Sequence, residues 1–290
     1  MPQLSRNNNQ SLPQPEQQFE FFEFHRDGKV VEEAPLCGLT LKAAGSMRFR
    51  WNEENKNRAL LTSISAEMSS SCAAMSSSGL TRGSIVPLQL DHTHIVYNVK
   101  TATDTQDKIG DGIITTNRSL IPSITVADCM PLYLYDPVTG VFGIVNYGWK
   151  GTGIIADAIT LARKEYNARP EDFCIVIGPH IRSCCYIVNE ERATWFSENF
   201  TPDCVTPLEP GVEVTWNTGT GPLYRLSLEK ANLAAIKKAG VPDENIWIHP
   251  ACTCCYKENE EYKYGSNRRE TTINKKPDAF TVMSAFISFM

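Results

Sequence analysis

Long apolar runs are missing from this sequence, and so are blocks of positive charge. No stretch approaches the roughly 20 apolar residues that a membrane-spanning helix needs, which excludes a membrane partner of that kind. Lys and Arg number 28 against 33 Asp and Glu, for a net charge of -5. With no basic cluster, a nucleic-acid backbone is excluded as the main partner and a small molecule is expected. Histidine is scarce, five in 290 residues. That bars any centre built from many imidazoles. An apolar leader core is also lacking: Met1 to Gln18 is rich in Asn, Gln, Pro and Ser and reads as a disordered polar tail, residues 1–18. The ten cysteines, partly in adjacent pairs, fit reduced thiols in a cytoplasmic chain better than a disulfide framework. No internal repeat is visible. With 42% hydrophobic and 21% charged residues, the chain can bury a large core, and residues 19–290 read as one domain.

What is present is organised around residues 124–152, ITVADCMPLYLYDPVTGVFGIVNYGWKGT. Two apolar runs flank Asp136-Pro137-Val138-Thr139-Gly140, the punctuation of a β-hairpin. A turn centred on Val138 would set Met130 opposite Asn146, with Cys129 beside them. Gly148-Trp149-Lys150-Gly151-Thr152 then makes a tight corner ahead of an apolar-periodic helix over residues 154–166. Elsewhere the pattern predicts a hairpin over 19–33 around Asp27-Gly28, a strand within 36–49, a helix over 53–64 and a Ser-rich loop at 69–84. A strand is expected over 85–99, which would put His92 and His94 on one face by two-residue alternation. Further expectations are a strand at 173–177, a helix over 190–200 with Trp195 and Phe196 inward, and a short strand near 212–216. A helix over 227–239 is capped by Ser227 and stopped by Gly240, and strands follow at 246–248 and 279–290.

Taken by itself, Cys129 has three readings: a packing thiol, a metal ligand or a nucleophile. Its place after Asp128, beside the Gly-Trp corner, favours a site. A resemblance narrows the choice. Ala127-Asp128-Cys129-Met130-Pro131, Gly148-Trp149-Lys150-Gly151-Thr152, Gly178-Pro179-His180-Ile181 with Cys184-Cys185-Tyr186, and Ser266-Asn267-Arg268-Arg269 occur in this order. The set resembles the laccase-domain family, described as multicopper polyphenol oxidoreductases and as purine nucleoside phosphorylases with adenosine deaminase activity.

That resemblance implies an α+β fold, a layered arrangement with mixed β-sheets and packed helices, and a laccase-type domain over 19–290. It implies a His, Cys, His metal site, which falls on His92, Cys129 and Asn146, so the second histidine is an amide in this chain. Zinc is the implied ion ahead of copper, with a metal-free member as the alternative; His94 or His180 are the candidates for a substitute nitrogen. The implied substrates are a purine nucleoside and phosphate. Cys129 and His92 would carry the chemistry, and Lys150, Arg268 and Arg269 would anchor the anion. Two rival readings are a cysteine hydrolase acting on an amide and a binding protein that has lost catalysis with the second histidine. Cys184, Cys185, Cys252, Cys254 and Cys255 read as packing thiols, because adjacent cysteines do not easily share one tetrahedral ion.

Overall fold

The computed structural model describes residues 18–53, 83–212, 214, 221–275 and 279–289. The expected polar tail, the helix over 53–64, most of the 69–84 loop and most of the strand near 212–216 lie outside those residues. Two mixed sheets face each other. The six-stranded sheet runs Ile246–Ile248, Cys174–Ile177, Met130–Tyr135, Phe142–Tyr147, Gly112–Thr115, Val96–Asn98. The five-stranded sheet runs Phe19–Phe22, Leu36–Thr40, Met283–Ser288, Leu120–Val126, Ser84–Pro87. Each is mixed: 174–177 lies parallel to 246–248, 96–98 to 112–115, and 84–87 to 120–126, and the remaining pairs are antiparallel. This is the layered α+β architecture that the resemblance implied.

The hairpin at the centre explains the layering. Its strands are buried along their whole length, and alternation sends successive side chains to opposite layers. Leu132, Leu134, Val145 and Tyr147 join Ile155, Ala158, Ile159 and Ala162 of helix Ile154–Tyr166 in one core. Tyr133, Tyr135, Phe142 and Ile144 join Leu39, Ile124 and Ala285 of the other sheet in a second core. The turn is one residue longer than its sequence suggests. The Asp136 carboxylate accepts from the Val138 N–H at 2.8 Å and from Thr139 Oγ1 at 2.5 Å, so the loop closes over six residues. Register moves by one: Tyr147 faces Met130, and Asn146 faces Pro131.

Helix Leu228–Lys238 starts where Ser227 Oγ accepts from the Lys230 N–H and ends before Gly240 at φ +97°, as its caps predict. In helix Glu190–Asn199 the buried stripe is Ala193 and Phe196, and Trp195, one position off it, is 41% exposed. The expectation that Trp195 points inward is therefore corrected.

Glu20 ties the first strand to the far end of the chain. Its carboxylate accepts from Lys263 Nζ at 2.9 Å and Tyr264 Oη at 2.6 Å, with His249 Nε2 at 3.4 Å. Burial alone would raise its pKa, but these three partners outweigh it and hold the carboxyl down from 4.5 to about 2. A depressed carboxyl stabilises the fold above its unfolded pKa, and that contribution is lost as pH falls from about 4.5 toward 2. Glu20→Gln is expected to be about 3 kcal/mol less stable than the parent at neutral pH, the linkage equivalent of this shift. The gap should close between pH 4.5 and 2 in urea titrations at stepped pH. A pH-independent gap would show that the charge of Glu20 is not what stabilises this junction.

Candidate functional site

Strand Leu120–Val126 belongs to one sheet and Met130–Tyr135 to the other, so Ala127-Asp128-Cys129 is the crossover between layers. Such a crossover leaves a gap at the sheet ends, here a cleft of about 340 Å³. That lies within the ~300–1,000 Å³ range of small-molecule sites. Its walls include His92, Asp128, Cys129, Trp149, Tyr186, Arg268, Arg48 and Arg50.

Asp128 takes φ +77°, a left-handed conformation that side chains other than Asn and Asp seldom adopt. Its buried carboxylate accepts from Thr253 Oγ1 at 2.7 Å and from the Arg268 N–H at 2.6 Å, bolting two loops to the crossover. Burial nonetheless raises its pKa above the ordinary value.

His92 is placed by a different carboxylate. Strand structure stops at Pro87 and resumes at Val96, so the expected continuous strand over 85–99, with His92 and His94 on one face, is not formed. The intervening chain wraps the buried side chain of Asp111, which accepts from the backbone N–H groups of Asp91, His92 and Thr93 at 3.4, 3.2 and 2.6 Å and from Thr93 Oγ1 at 2.9 Å. This wrapping holds His92 at φ +54° and turns its ring into the cleft. A Cβ placed on Gly148 would lie 2.9 Å from His92 Nδ1 and 3.2 Å from Cys129 Sγ. Both groups thus converge above a glycine that leaves them room.

Asn146 shares that carboxylate, its Nδ2 donating to Asp111 Oδ1 at 2.9 Å. The reverse amide orientation would set oxygen against carboxylate, so the assignment is chemically fixed. Asn146 Oδ1 is buried and has no hydrogen-bond partner among the described residues. By alternation it shares the strand face of position 148, the face of His92 and Cys129. The donor set is therefore one imidazole, one thiol and a neutral carbonyl oxygen. That does not fit a multicopper centre, nor a zinc centre requiring three N or S ligands. Neither candidate histidine reaches in. His94 Nδ1 pairs with Asp157 at 2.8 Å on the exposed flank. His180 is buried with Nδ1 on the Gly178 carbonyl, and burial drives its pKa down to about 4. Neither lines the cleft.

Burial, then the charges of Asp128 and Asp111, push the Cys129 thiol up to about 12. A nucleophilic cysteine needs the opposite environment, a cation or a positive dipole, so the cysteine-hydrolase reading has no support here.

The three cations assigned to anion binding have separate places. Arg268 lines the cleft, its guanidinium carbon 5.5 Å from the Tyr186 ring centre. Lys150 is exposed outside the lining, its Nζ 5.4 Å from the Trp149 ring centre. Arg269 is buried behind the wall and bonded to Thr253, Cys254 and Tyr264 carbonyls and to Glu270. It is a packing cation rather than a ligand anchor. Arg48 and Arg50 are cleft residues that the sequence reading missed. Their signal was present in Met47-Arg48-Phe49-Arg50, where Met47 and Phe49 are buried and alternation turns both arginines to the other side.

A mixed-sheet α+β protein with a histidine and a cysteine at a sheet crossover, under a basic and aromatic cleft, is the class this geometry defines. The family described as multi-copper polyphenol oxidoreductase laccase matches residues 59–274, and the chain belongs to that family. It is similar to the purine nucleoside phosphorylase YlmD of Geobacillus stearothermophilus, at 30% identity over 59% of this chain and 58% of that protein. A purine nucleoside phosphorylase of Clostridium acetobutylicum is 31% identical over 63% of this chain and 70% of its own length. The crystal structure of the Geobacillus YlmD superposes with a TM-score of 0.66 at 24% identity, covering 93% of this chain and 97% of that one. That superposition shows the fold.

Proposed function

We propose that this chain binds purine nucleosides in the crossover cleft and cleaves them by phosphorolysis. The observation that carries the reading is the joining of His92 and Cys129 with the aromatic Trp149 and Tyr186 and the cationic Arg48, Arg50 and Arg268 around one cleft; the names of the relatives supply the substrate class. A purine base suits the aromatic faces, and guanidinium groups suit phosphate. A phosphate oxygen forms the bond to C1′ as the glycosidic C–N bond breaks. The electron pair leaves with the purine, which takes a proton, and His92 is the residue we assign as its donor. Deamination by a metal-activated water lacks its third strong ligand at Asn146, and no step is assigned to it.

One observation favours a second reading, nucleoside binding without turnover: Asn146 is turned into Asp111 and cannot move a proton. Base release from inosine, adenosine and guanosine, followed chromatographically with and without phosphate, separates the two. Phosphate-dependent release that falls about 10²–10⁴-fold in His92→Ala, the usual worth of a general acid, is the expected result. Calorimetric binding without release would instead favour the second reading, and neither binding nor release would overturn both.

Asp111 stands where a carboxylate would orient an imidazole at position 146, leaving its other nitrogen for a metal. Asn146→His is therefore expected to gain one zinc per chain over the parent by elemental mass spectrometry. That gain should vanish in Asn146→His/Cys129→Ala. An unchanged metal content would show that position 146 does not complete a site with His92 and Cys129.

A further inference from the structure

Among the described residues one group of metal-ligating side chains is drawn together, and it is not in the cleft. The sulfurs of Cys184, Cys185, Cys252 and Cys255 all lie within 4.8 Å of one another. Cys184 Sγ is 3.7 Å from Cys255 Sγ. We infer that these four cysteines form a four-thiolate zinc site that clamps two loops behind the substrate cleft.

The geometry is the first ground. Four sulfurs about 2.3 Å from a tetrahedral zinc lie roughly 3.8 Å apart, so closing on an ion requires shifts below about 1 Å. Adjacent cysteines do not easily share an ion, but here a local turn brings both sulfurs into the cluster. The N–H groups of Cys185 and Tyr186 both bond the Arg182 carbonyl at 2.9 Å, and this tight bend leaves both neighbouring sulfurs in the cluster.

The support around the sulfurs is the second ground. Cys252 Sγ accepts the Arg182 N–H at 3.3 Å. A backbone amide aimed at sulfur orients a ligand for metal. The loops are already in register: Thr253 N–H donates to the His180 carbonyl at 3.0 Å, and His180 and Cys252 form a parallel bridge. Cys252 is buried while Cys184 and Cys255 are exposed, which gives an ion an entry path. Four soft sulfurs with no water position make a closed structural site, the preference of zinc rather than of magnesium or calcium.

The clamp has a consequence for the cleft. Thr253, between the two ligands of its loop, holds the Asp128 carboxylate through Oγ1, and its carbonyl accepts from Arg269. Zinc at the cluster would fix the loop that fixes the crossover.

The test is elemental analysis of the full chain purified without chelator, together with thiol titration and intact-mass measurement. About one zinc per chain is expected, retained in Cys129→Ala and lost in Cys184→Ser/Cys255→Ser, whose two replaced side chains are exposed. Cobalt substitution should give the intense visible bands of a tetrahedral thiolate site in the parent and not in that double variant. Chelator should lower the melting temperature of the parent and leave that of the double variant unchanged. A Cys184–Cys255 disulfide by mass, ten titratable thiols with no bound metal, or zinc that survives the double substitution would each overturn the inference.

Discussion

Asp111→Ala is expected to destabilise the protein by about 3–5 kcal/mol, the range for removing one partner from a buried charged cluster. Five donors converge on this carboxylate: three successive backbone N–H groups, the Thr93 hydroxyl and the Asn146 amide. Alanine leaves the amide of Asn146 buried without a partner and frees His92 from a left-handed conformation that nothing else here requires. The loss should therefore exceed what stability alone predicts, because the imidazole is no longer held over Gly148. Asp111→Asn is a sharper probe. It keeps one acceptor oxygen but sets an NH2 against an N–H group, so it should fall between alanine and the parent. Urea titration measures the stability, and nucleoside binding by the folded fraction measures the site. A cost below about 1 kcal/mol, the worth of an ordinary hydrogen bond, would show that the 91–93 segment is held by something other than Asp111.

Two neighbouring arginines should respond in opposite ways. Arg269 is 3% exposed, and its guanidinium donates to the carbonyls of Thr253 and Cys254 at 2.8 and 2.9 Å, to the Tyr264 carbonyl at 2.5 Å and to Glu270 at 2.7 Å. Its carbon stands 4.0 Å from the Tyr262 ring centre. Arg269→Ala takes a donor from three carbonyls and the counter-charge from the buried Glu270 carboxylate, for an expected loss of about 3–5 kcal/mol, a large share of the 5–15 kcal/mol that holds a typical domain. Lysine cannot restore it, since one ammonium does not span a planar fork of acceptors. Arg268→Ala should cost about 1 kcal/mol or less, as for partly exposed cations, and should instead weaken phosphate-dependent activity. Similar melting curves for the two variants would contradict this division of labour.

The sequence by itself determined the local elements. Apolar positions 155, 158, 159 and 162 make one helix face, and Ser227 with Gly240 punctuates the helix between them; these are short-range effects of backbone geometry and capping. The hairpin was legible for the same reason, and the spaced motifs were enough to indicate the family and its α+β layers. Long-range geometry was not legible. The register depended on how the Asp136 side chain closed its turn, a one-residue matter that moved Asn146 from Met130 to Pro131. His92 and His94 parted because Asp111, 19 and 17 positions away in sequence, drew the 91–93 amides around itself and interrupted the strand. Nothing in the pattern showed that Arg269 is buried, because burial is set by what packs over a loop. The four cysteines came together only when two loops 67 or more residues apart aligned at His180 and Cys252. Propensity and periodicity act within a few residues, whereas a site is built where distant carboxylates, thiols and amides find one another as the layers close.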